Sequence, residues 1–201
     1  GAVQRALGRD VIGMGASGGL PGEMHKLWQA SFPGSYHMEY GFSCMGYEIA
    51  GGIGLKMAQP TREVVVMVGD GSYLMMNSEL ATSVMLGVKL TVVLLDNRGY
   101  GCINRLPHAS GGERFNNLSD YNTAQEVSPD IDFAAHGKSL GAISEKVSSL
   151  ADLERALKKA KSNTRTTFIV IDTDPMKTTD AGGHWWDVAI PEVSTRSQVR
   201  A

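Results

Sequence analysis

Two short stretches carry residue types able to hold a highly charged ligand. "GDGS" (69 to 72) exposes the carboxylate of Asp70 between two residues without side chains, and "DNRGYG" (96 to 101) offers the amide of Asn97 among glycines. A carboxylate, an amide oxygen and a nearby backbone carbonyl are hard oxygen donors, of the kind Mg2+ takes together with phosphate oxygens and water. Glycines let the backbone approach a phosphate closely, and helix amides beginning near Ser72 can donate to it. A lone GDG is a common turn, and "DN" before "GYG" is ordinary turn composition. What raises the pair above coincidence is placement: Asp70 and Asn97 stand 27 positions apart at the ends of two apolar runs joined by a single helical crossover.

Those runs belong to a longer alternation. Strand-like segments recur at "DVIGMG" (10 to 15), "REVVVMVGD" (62 to 70), "VKLTVVLLDN" (88 to 97), "GAISEKV" (141 to 147) and "RTTFIVIDTD" (165 to 174). Near-continuous apolar runs mark strands buried on both faces, as in a parallel sheet covered by helices. Helical patterns fall between them at Gly46 to Met57, Ser78 to Leu86, Asp132 to Leu140 and Leu150 to Ser162, and Gly1 to Arg9 also reads as helix. In the last of the interleaved helices Leu150, Leu153 and Leu157 share one side, with lysines late in the helix where its dipole favours them. The expected fold is α/β, a doubly wound, mostly parallel sheet with helices on both faces and right-handed crossovers. In such sheets ligands gather beyond the carboxyl ends of the strands, where both motifs stand. Two segments, 106 to 129 and 175 to 201, resist assignment and are expected to cover a site or reach a neighbour.

Composition narrows the classes. The 201 residues are 42% hydrophobic and 20% charged with a formal charge of -2, which suits an ordinary globular protein and offers no basic face for nucleic acid or a membrane surface. Two cysteines, Cys44 and Cys102, are too few for a disulfide framework, so a reducing cytosol is expected. No apolar run approaches the ~18 residues of a transmembrane helix. The chain opens without an initiator methionine, and the expectation is a piece of a longer polypeptide.

The block "GDGSYLMMNSELATSVMLGVKLTVVLLDNRGYG" (69 to 101) resembles the thiamine-diphosphate signature of the superfamily that includes acetolactate synthase and benzoylformate decarboxylase. It departs from the usual Asn-Asn pair in having Asp96 before Asn97; the second position carries the metal, so the clamp should survive. The resemblance implies thiamine diphosphate and Mg2+ as cofactors. Asp70 and Asn97 would bind the metal through side chains and Gly99 through its carbonyl, while Gly69, Gly71, Ser72, Tyr100 and Gly101 lie against the diphosphate. A second block, "FSCMGYEIAGGIGLKMAQP" (42 to 60), is similar to the family segment in which a bulky residue wedges beneath the cofactor. Met45 matches that wedge, and the carbonyl of Ser43 would accept from the pyrimidine amino group.

Further segments, "GGLPGEMHKLW", "YHMEYGFSCMGYEIAGG", "NRGYGCINRL", "FNNL" and "AGGHWWDVAIPEVS", resemble the carboxyl-terminal cofactor domain of the family's hydrolases that open a cyclic 1,2-diketone in myo-inositol breakdown. That implies hydrolytic carbon-carbon cleavage of a trihydroxycyclohexanedione to 5-deoxy-glucuronate, with the cofactor as electron sink. Proton transfers need positioned acids and bases, for which His37 and Glu39 are the leading candidates and His25 and His184 secondary ones. Trp185 and Trp186 could anchor a core or cover a polyol substrate, and Arg98 and Arg105 could contact substrate or face solvent. In domain terms, 1–174 would form the diphosphate-binding domain and 175–201 a tail or lid. The pyrimidine-binding and central domains would be missing, as in a truncation, a proteolytic fragment or one subunit of a split enzyme. The family normally supplies its pyrimidine-activating glutamate across a dimer interface, so a homodimer or homotetramer is expected and the chain alone should have little activity. Two alternatives stand beside this one: a related carboligase or decarboxylase such as an acetolactate synthase, and a non-catalytic module derived from the same domain.

Overall fold

A computed structural model of the chain describes residues 1–109, 111–113, 116–121, 130–179 and 193–200. The chain runs through α1 (Ala2–Leu7), β1 (Ile12–Gly15), α2 (Gly19–Leu27), β2 (Tyr36–Met38), α3 (Tyr47–Ala58), β3 (Val64–Gly69), α4 (Asp70–Met75) and α5 (Ser78–Met85). It continues through β4 (Thr91–Asp96), α6 (Gly101–Ala109), a 3-10 turn (Ser119–Tyr121), α7 (Phe133–Ser139), β5 (Ile143–Val147), α8 (Leu150–Ser162), β6 (Thr167–Asp172) and α9 (Ser197–Arg200). The strands form one six-stranded sheet in the order β2-β1-β3-β4-β6-β5, and every pair is parallel. This is the α/β architecture expected of the apolar runs.

The two-residue period of a strand sorts the core into two layers. Val64, Val66, Val68, Val92, Leu94, Phe168 and Val170 face a layer with Ile49 and Ile53 of α3, Tyr73 of α4, Leu80 of α5 and Phe133 of α7. Their neighbours Val65, Val93 and Ile169 face the other layer, with Val3 and Leu7 of α1 and Leu153 and Leu157 of α8. Since both faces are covered, the strands read as unbroken apolar runs. Leu150 departs from its expected place on the buried side of α8: it is 61% exposed, because the first turn of the helix overhangs the carboxyl edge of the sheet. Among the described residues no helix is long and apolar enough to cross a membrane.

The order also fixes where a ligand can enter. The chain leaves β1 for β2 on one side and builds β3, β4, β6 and β5 on the other, so the sheet reverses direction between β1 and β3. A crevice opens at such a reversal beyond the carboxyl ends of the strands. Gly52 brings α3 hard against β3 there: a Cβ at this position would lie 2.4 Å from Val66 Cγ2.

Candidate functional site

Beyond the reversal lies a cleft of about 720 Å3. Its walls are Ser17 to Leu20 after β1, Ser43 and Met45 before α3, Gly69 to Ser72 after β3, Asn97 and Gly99 to Ile103 after β4, and Thr173, Asp174 and Lys177 to Thr179 after β6. All ten residues expected to hold cofactor or metal therefore border one space.

Asp70 begins α4 at the end of β3 and is 4% exposed. Its Oδ2 accepts the Gly99 N–H at 2.5 Å and its Oδ1 the Asn97 N–H at 3.4 Å, which ties the two strand ends together. Burial, and next the negative charge of Asp96, push its carboxyl up to about 6. The side-chain amide of Asn97 lies between Asp70 and the Gly99 carbonyl. With its nitrogen turned inward the amide donates to Asp70 Oδ1 at 3.2 Å and to the Gly99 oxygen at 2.7 Å. With its oxygen turned inward, three oxygens meet without a hydrogen between them, a set that calls for a cation. The site is one amide rotation away from a Mg2+ ligand set, and the residues present fit that ion.

The glycines serve different purposes. A Cβ on Gly71 would strike the Tyr100 ring at 2.7 Å, and one on Gly101 would come 2.8 Å from Asn97 Nδ2. A Cβ on Gly69 meets no atom within 4 Å, so the floor of the cleft is bare backbone there. Gly99 holds φ 138° and lies so close to the Asn117 carbonyl that a Cβ would approach it to 2.5 Å. The hydroxyl of Ser72 is occupied by Glu48 and Gly46, which leaves its backbone N–H in the first turn of α4 as what it can offer a phosphate. Met45 is half-buried at the cleft wall, and Ser43, at φ 57°, holds its hydroxyl 2.6 Å from that of Ser17. Asp96 points away from this space: its Oδ1 accepts the Arg98 N–H at 2.9 Å, and it lines a smaller cavity behind the Asp70 turn.

His37 and Glu39 border a separate cavity of about 690 Å3 between the β2 edge and α3. His37 Nε2 lies 3.0 Å from the Gly34 carbonyl, and the Glu39 carboxylate accepts the N–H groups of Phe42 at 3.1 Å and Cys44 at 2.6 Å. The structure thus gives these two residues local partners and does not bring them to the cofactor cleft. His25 packs edge-on against Tyr36 and Tyr40, with Nδ1 3.2 Å from Tyr36 Oη. Arg98 pairs with Asp120 at 2.8 Å and with Asp130, so its guanidinium is taken up by two carboxylates. Arg105 reaches the cleft and donates to the Pro175 carbonyl at 2.5 Å. His184, Trp185 and Trp186 lie outside the described residues.

Oxygen donors and glycines gathered at two strand ends, by the switch point of a parallel sheet, suit a metal and a diphosphate, and the comparison with known families agrees. Residues 16–171 match the family described as "Thiamine pyrophosphate enzyme, C-terminal TPP binding domain". The chain belongs to that family. Within it, the chain is 43% identical over 206 aligned residues to the 3D-(3,5/4)-trihydroxycyclohexane-1,2-dione hydrolase of Bacillus anthracis, covering 100% of this chain and 32% of that protein. It is 41% identical over 199 residues to the protein of the same description from Halalkalibacterium halodurans, covering 98% of this chain and 31% of the relative. The chain therefore spans about a third of the length of these relatives. Among solved structures, benzoylformate decarboxylase from Polynucleobacter necessarius superposes with a TM-score of 0.76 at 20% identity, over 88% of this chain and 32% of that one. At that identity the likeness speaks for the fold alone.

Three features of the site were not legible in the motifs: Glu48, the rim at Thr173 to Thr179, and the use of Glu39 within its own loop. Glu48 did carry a signal, as a lone carboxylate inside the apolar helix "YEIAGGIGL".

Proposed function

We propose that this chain supplies the diphosphate and metal end of a thiamine-diphosphate- and Mg2+-dependent hydrolase that opens the ring of a trihydroxycyclohexane-1,2-dione by carbon-carbon cleavage. The product implied by the sequence resemblance is 5-deoxy-glucuronate, from myo-inositol breakdown. The observation that carries the reading is the convergence of the Asp70 carboxylate, the Asn97 amide and the Gly99 carbonyl at the mouth of β3 and β4. Full-length similarity of the chain to dione hydrolases supports the substrate class. Asp70, Asn97 and Gly99 would hold the metal; Gly69, Gly71, the Ser72 amide, Tyr100 and Gly101 would lie against the diphosphate; Met45 and the Ser43 carbonyl would orient the rings. When bound, the cofactor supplies an electron sink for the breaking bond. Around it the cleft of this chain orients and shields, with its bare backbone floor at Gly69 and its rim at Thr173 to Thr179. The pyrimidine-activating glutamate would come from a pyrimidine-binding domain, reached across a subunit interface in a homo-oligomer.

The test is calorimetric titration of thiamine diphosphate with Mg2+ and with EDTA, on the chain and on Asp70→Ala. Metal-dependent binding that the substitution abolishes is the expected result, and binding indifferent to EDTA or to Asp70→Ala sinks the reading. Substrate class is decided on the full-length protein: acid release from the dione fits a hydrolase, whereas turnover of a 2-oxo acid with loss of carbon dioxide fits a decarboxylase or carboligase.

A further inference from the structure

Glu48 is a carboxylate with 2% exposure in the first turn of α3, and among the described residues no lysine, arginine or histidine forms an ion pair with it. Burial pushes its carboxyl above the usual range. A buried charge without a counter-ion is costly unless hydrogen bonds compensate it, and both oxygens of Glu48 are used. Oε1 accepts from Ser72 Oγ at 2.6 Å, and Oε2 accepts from the Gly46 N–H at 3.0 Å; Ser72 Oγ in turn accepts from that same N–H at 2.8 Å. A carboxylate that merely capped its own helix would need neither the burial nor the serine of another element. Glu39 takes the other end of the same loop, through the N–H groups of Phe42 and Cys44. Alternate amides from 42 to 46 are thus held by two carboxylates, and the loop passes through left-handed backbone at Ser43 (φ 57°) and Gly46 (φ 93°). The residue inside this grip is Met45.

We propose that Glu48, together with Glu39, is a positioning residue pair that locks the Met45 loop onto the diphosphate turn, so that the ring-orienting and diphosphate-holding parts of the cleft form one unit. This rests on the function proposed above. Ser72 belongs to the same turn as Asp70, so the path from Met45 to the metal site is Gly46, Glu48, Ser72 and the start of α4. The coupling predicts a selective effect. Inorganic pyrophosphate uses only the turn, whereas thiamine diphosphate uses turn and loop together.

The experiment compares the unsubstituted chain with Glu48→Ala, Glu48→Gln and Ser72→Ala. Amide hydrogen exchange is measured without ligand, and affinity is measured for thiamine diphosphate and for pyrophosphate, each with Mg2+. In Glu48→Ala, protection at Gly46 should fall about tenfold, as for loss of a hydrogen bond to a charged group, while Val66 and Val93 in the sheet keep theirs. Thiamine diphosphate affinity should fall about tenfold, and pyrophosphate affinity should change by less than about twofold. Glu48→Gln, whose amide oxygen can still accept from Gly46, should recover most of both losses. Ser72→Ala should loosen Gly46 but not Cys44, which Glu39 holds. Unchanged exchange and affinity in Glu48→Ala would overturn the proposal, as would an equal loss for both ligands or a Gln variant no better than Ala. Should Glu48→Ala fail to fold, Glu48→Gln and Ser72→Ala decide it on the same readouts. If the folded, unsubstituted chain binds no thiamine diphosphate, the full-length protein decides the proposed function by the same titration, and the ligand-free exchange still decides whether Glu48 holds the loop.

Discussion

At the β5–β6 edge of the sheet, polar groups stay outside and apolar ones inside; at the carboxyl ends of β3 and β4 the pattern is reversed. Helix α8 buries Leu153, Ala156, Leu157 and Ala160, starts on the Ser149 cap, which accepts the Asp152 N–H at 3.1 Å, and carries Lys159 and Lys161 in its last turn. Each choice favours the folded state, and none faces the cleft. Some strands away, Asp70 and Glu48 are buried carboxylates raised by desolvation, and the Gly69 backbone is left bare. The contrast sets residues that stabilise apart from residues proposed to bind, and it predicts that the two sets respond to substitution in opposite ways.

The largest stability effect should come from the quiet side. Leu157 is 0% exposed between α8 and the sheet, and Leu157→Ala should cost about 3 kcal/mol of unfolding free energy through lost burial and the cavity left behind. Urea denaturation measures this. Mg2+-dependent binding of the folded fraction should stay unchanged, and a large loss of affinity would break the proposed separation.

Asp70 should act in the other direction. Its folded-state value of about 6 lies above the 3.8 of an ordinary aspartate, so between about pH 4 and 6 the folded protein binds more protons than the unfolded chain. The stability linked to Asp70 is therefore fully present below about pH 4 and lost as pH rises through 6, a decline on the order of 3 kcal/mol at about 1.4 kcal/mol per unit. Denaturation at a series of pH values without metal should show this fall, and Asp70→Asn should flatten its share of it. Saturating Mg2+ should restore stability above pH 6 in the unsubstituted chain but not in the variant. A pH dependence between 4 and 6 that is the same in the unsubstituted chain and in Asp70→Asn would contradict the desolvation of Asp70.

How much of this was legible depends on how local the cause is. The long strands were readable because burial on both faces leaves a continuous apolar run, as in "VVVMV" of β3. The short strand β2, "YHM", is half-buried at the sheet edge and has no run to read. Helix α2 contains Gly19, Pro21 and Gly22, and α6 contains Pro107, so propensity argued against both where tertiary packing decided. The gathering of Asp70, Asn97 and the flanking glycines could be read because strand-end turns carry their own chemistry. The setting of His37 and Glu39 could not, since alternation gives a common face but not which cavity that face borders. That follows from β2 lying outermost, a fact of strand order and not of spacing. Glu48 stands out as a lone carboxylate, but its use stayed hidden because its partner Ser72 is 24 residues away on another element.

A smaller effect tests the floor of the cleft. In Gly71→Ala the new methyl would lie 2.7 Å from the Tyr100 ring, but Tyr100 is 38% exposed and can swing toward solvent. Stability should fall by no more than about 1 kcal/mol. Pyrophosphate affinity with Mg2+, read by calorimetry, should fall about tenfold, because the displaced ring and the methyl sit where an anion would lie. Equal affinity would remove Gly71 and Tyr100 from the diphosphate cradle while leaving Asp70 untouched.

The smallest effect returns to α8. Ser149→Ala removes the side-chain acceptor for the Asp152 N–H and the 2.7 Å bond from Ser149 Oγ to the Asp152 carboxylate, and should cost about 1 kcal/mol. The site of change is near the cleft in space, since the adjacent Leu150 borders it, yet none of the cap's hydrogen bonds reaches the residues proposed to hold metal and diphosphate. Affinity for thiamine diphosphate should therefore hold while the urea midpoint drops. A parallel loss of affinity would mean that the first turn of α8 is part of the binding surface, and the division between the stabilising edge and the binding edge would have to be drawn through that helix instead of beside it.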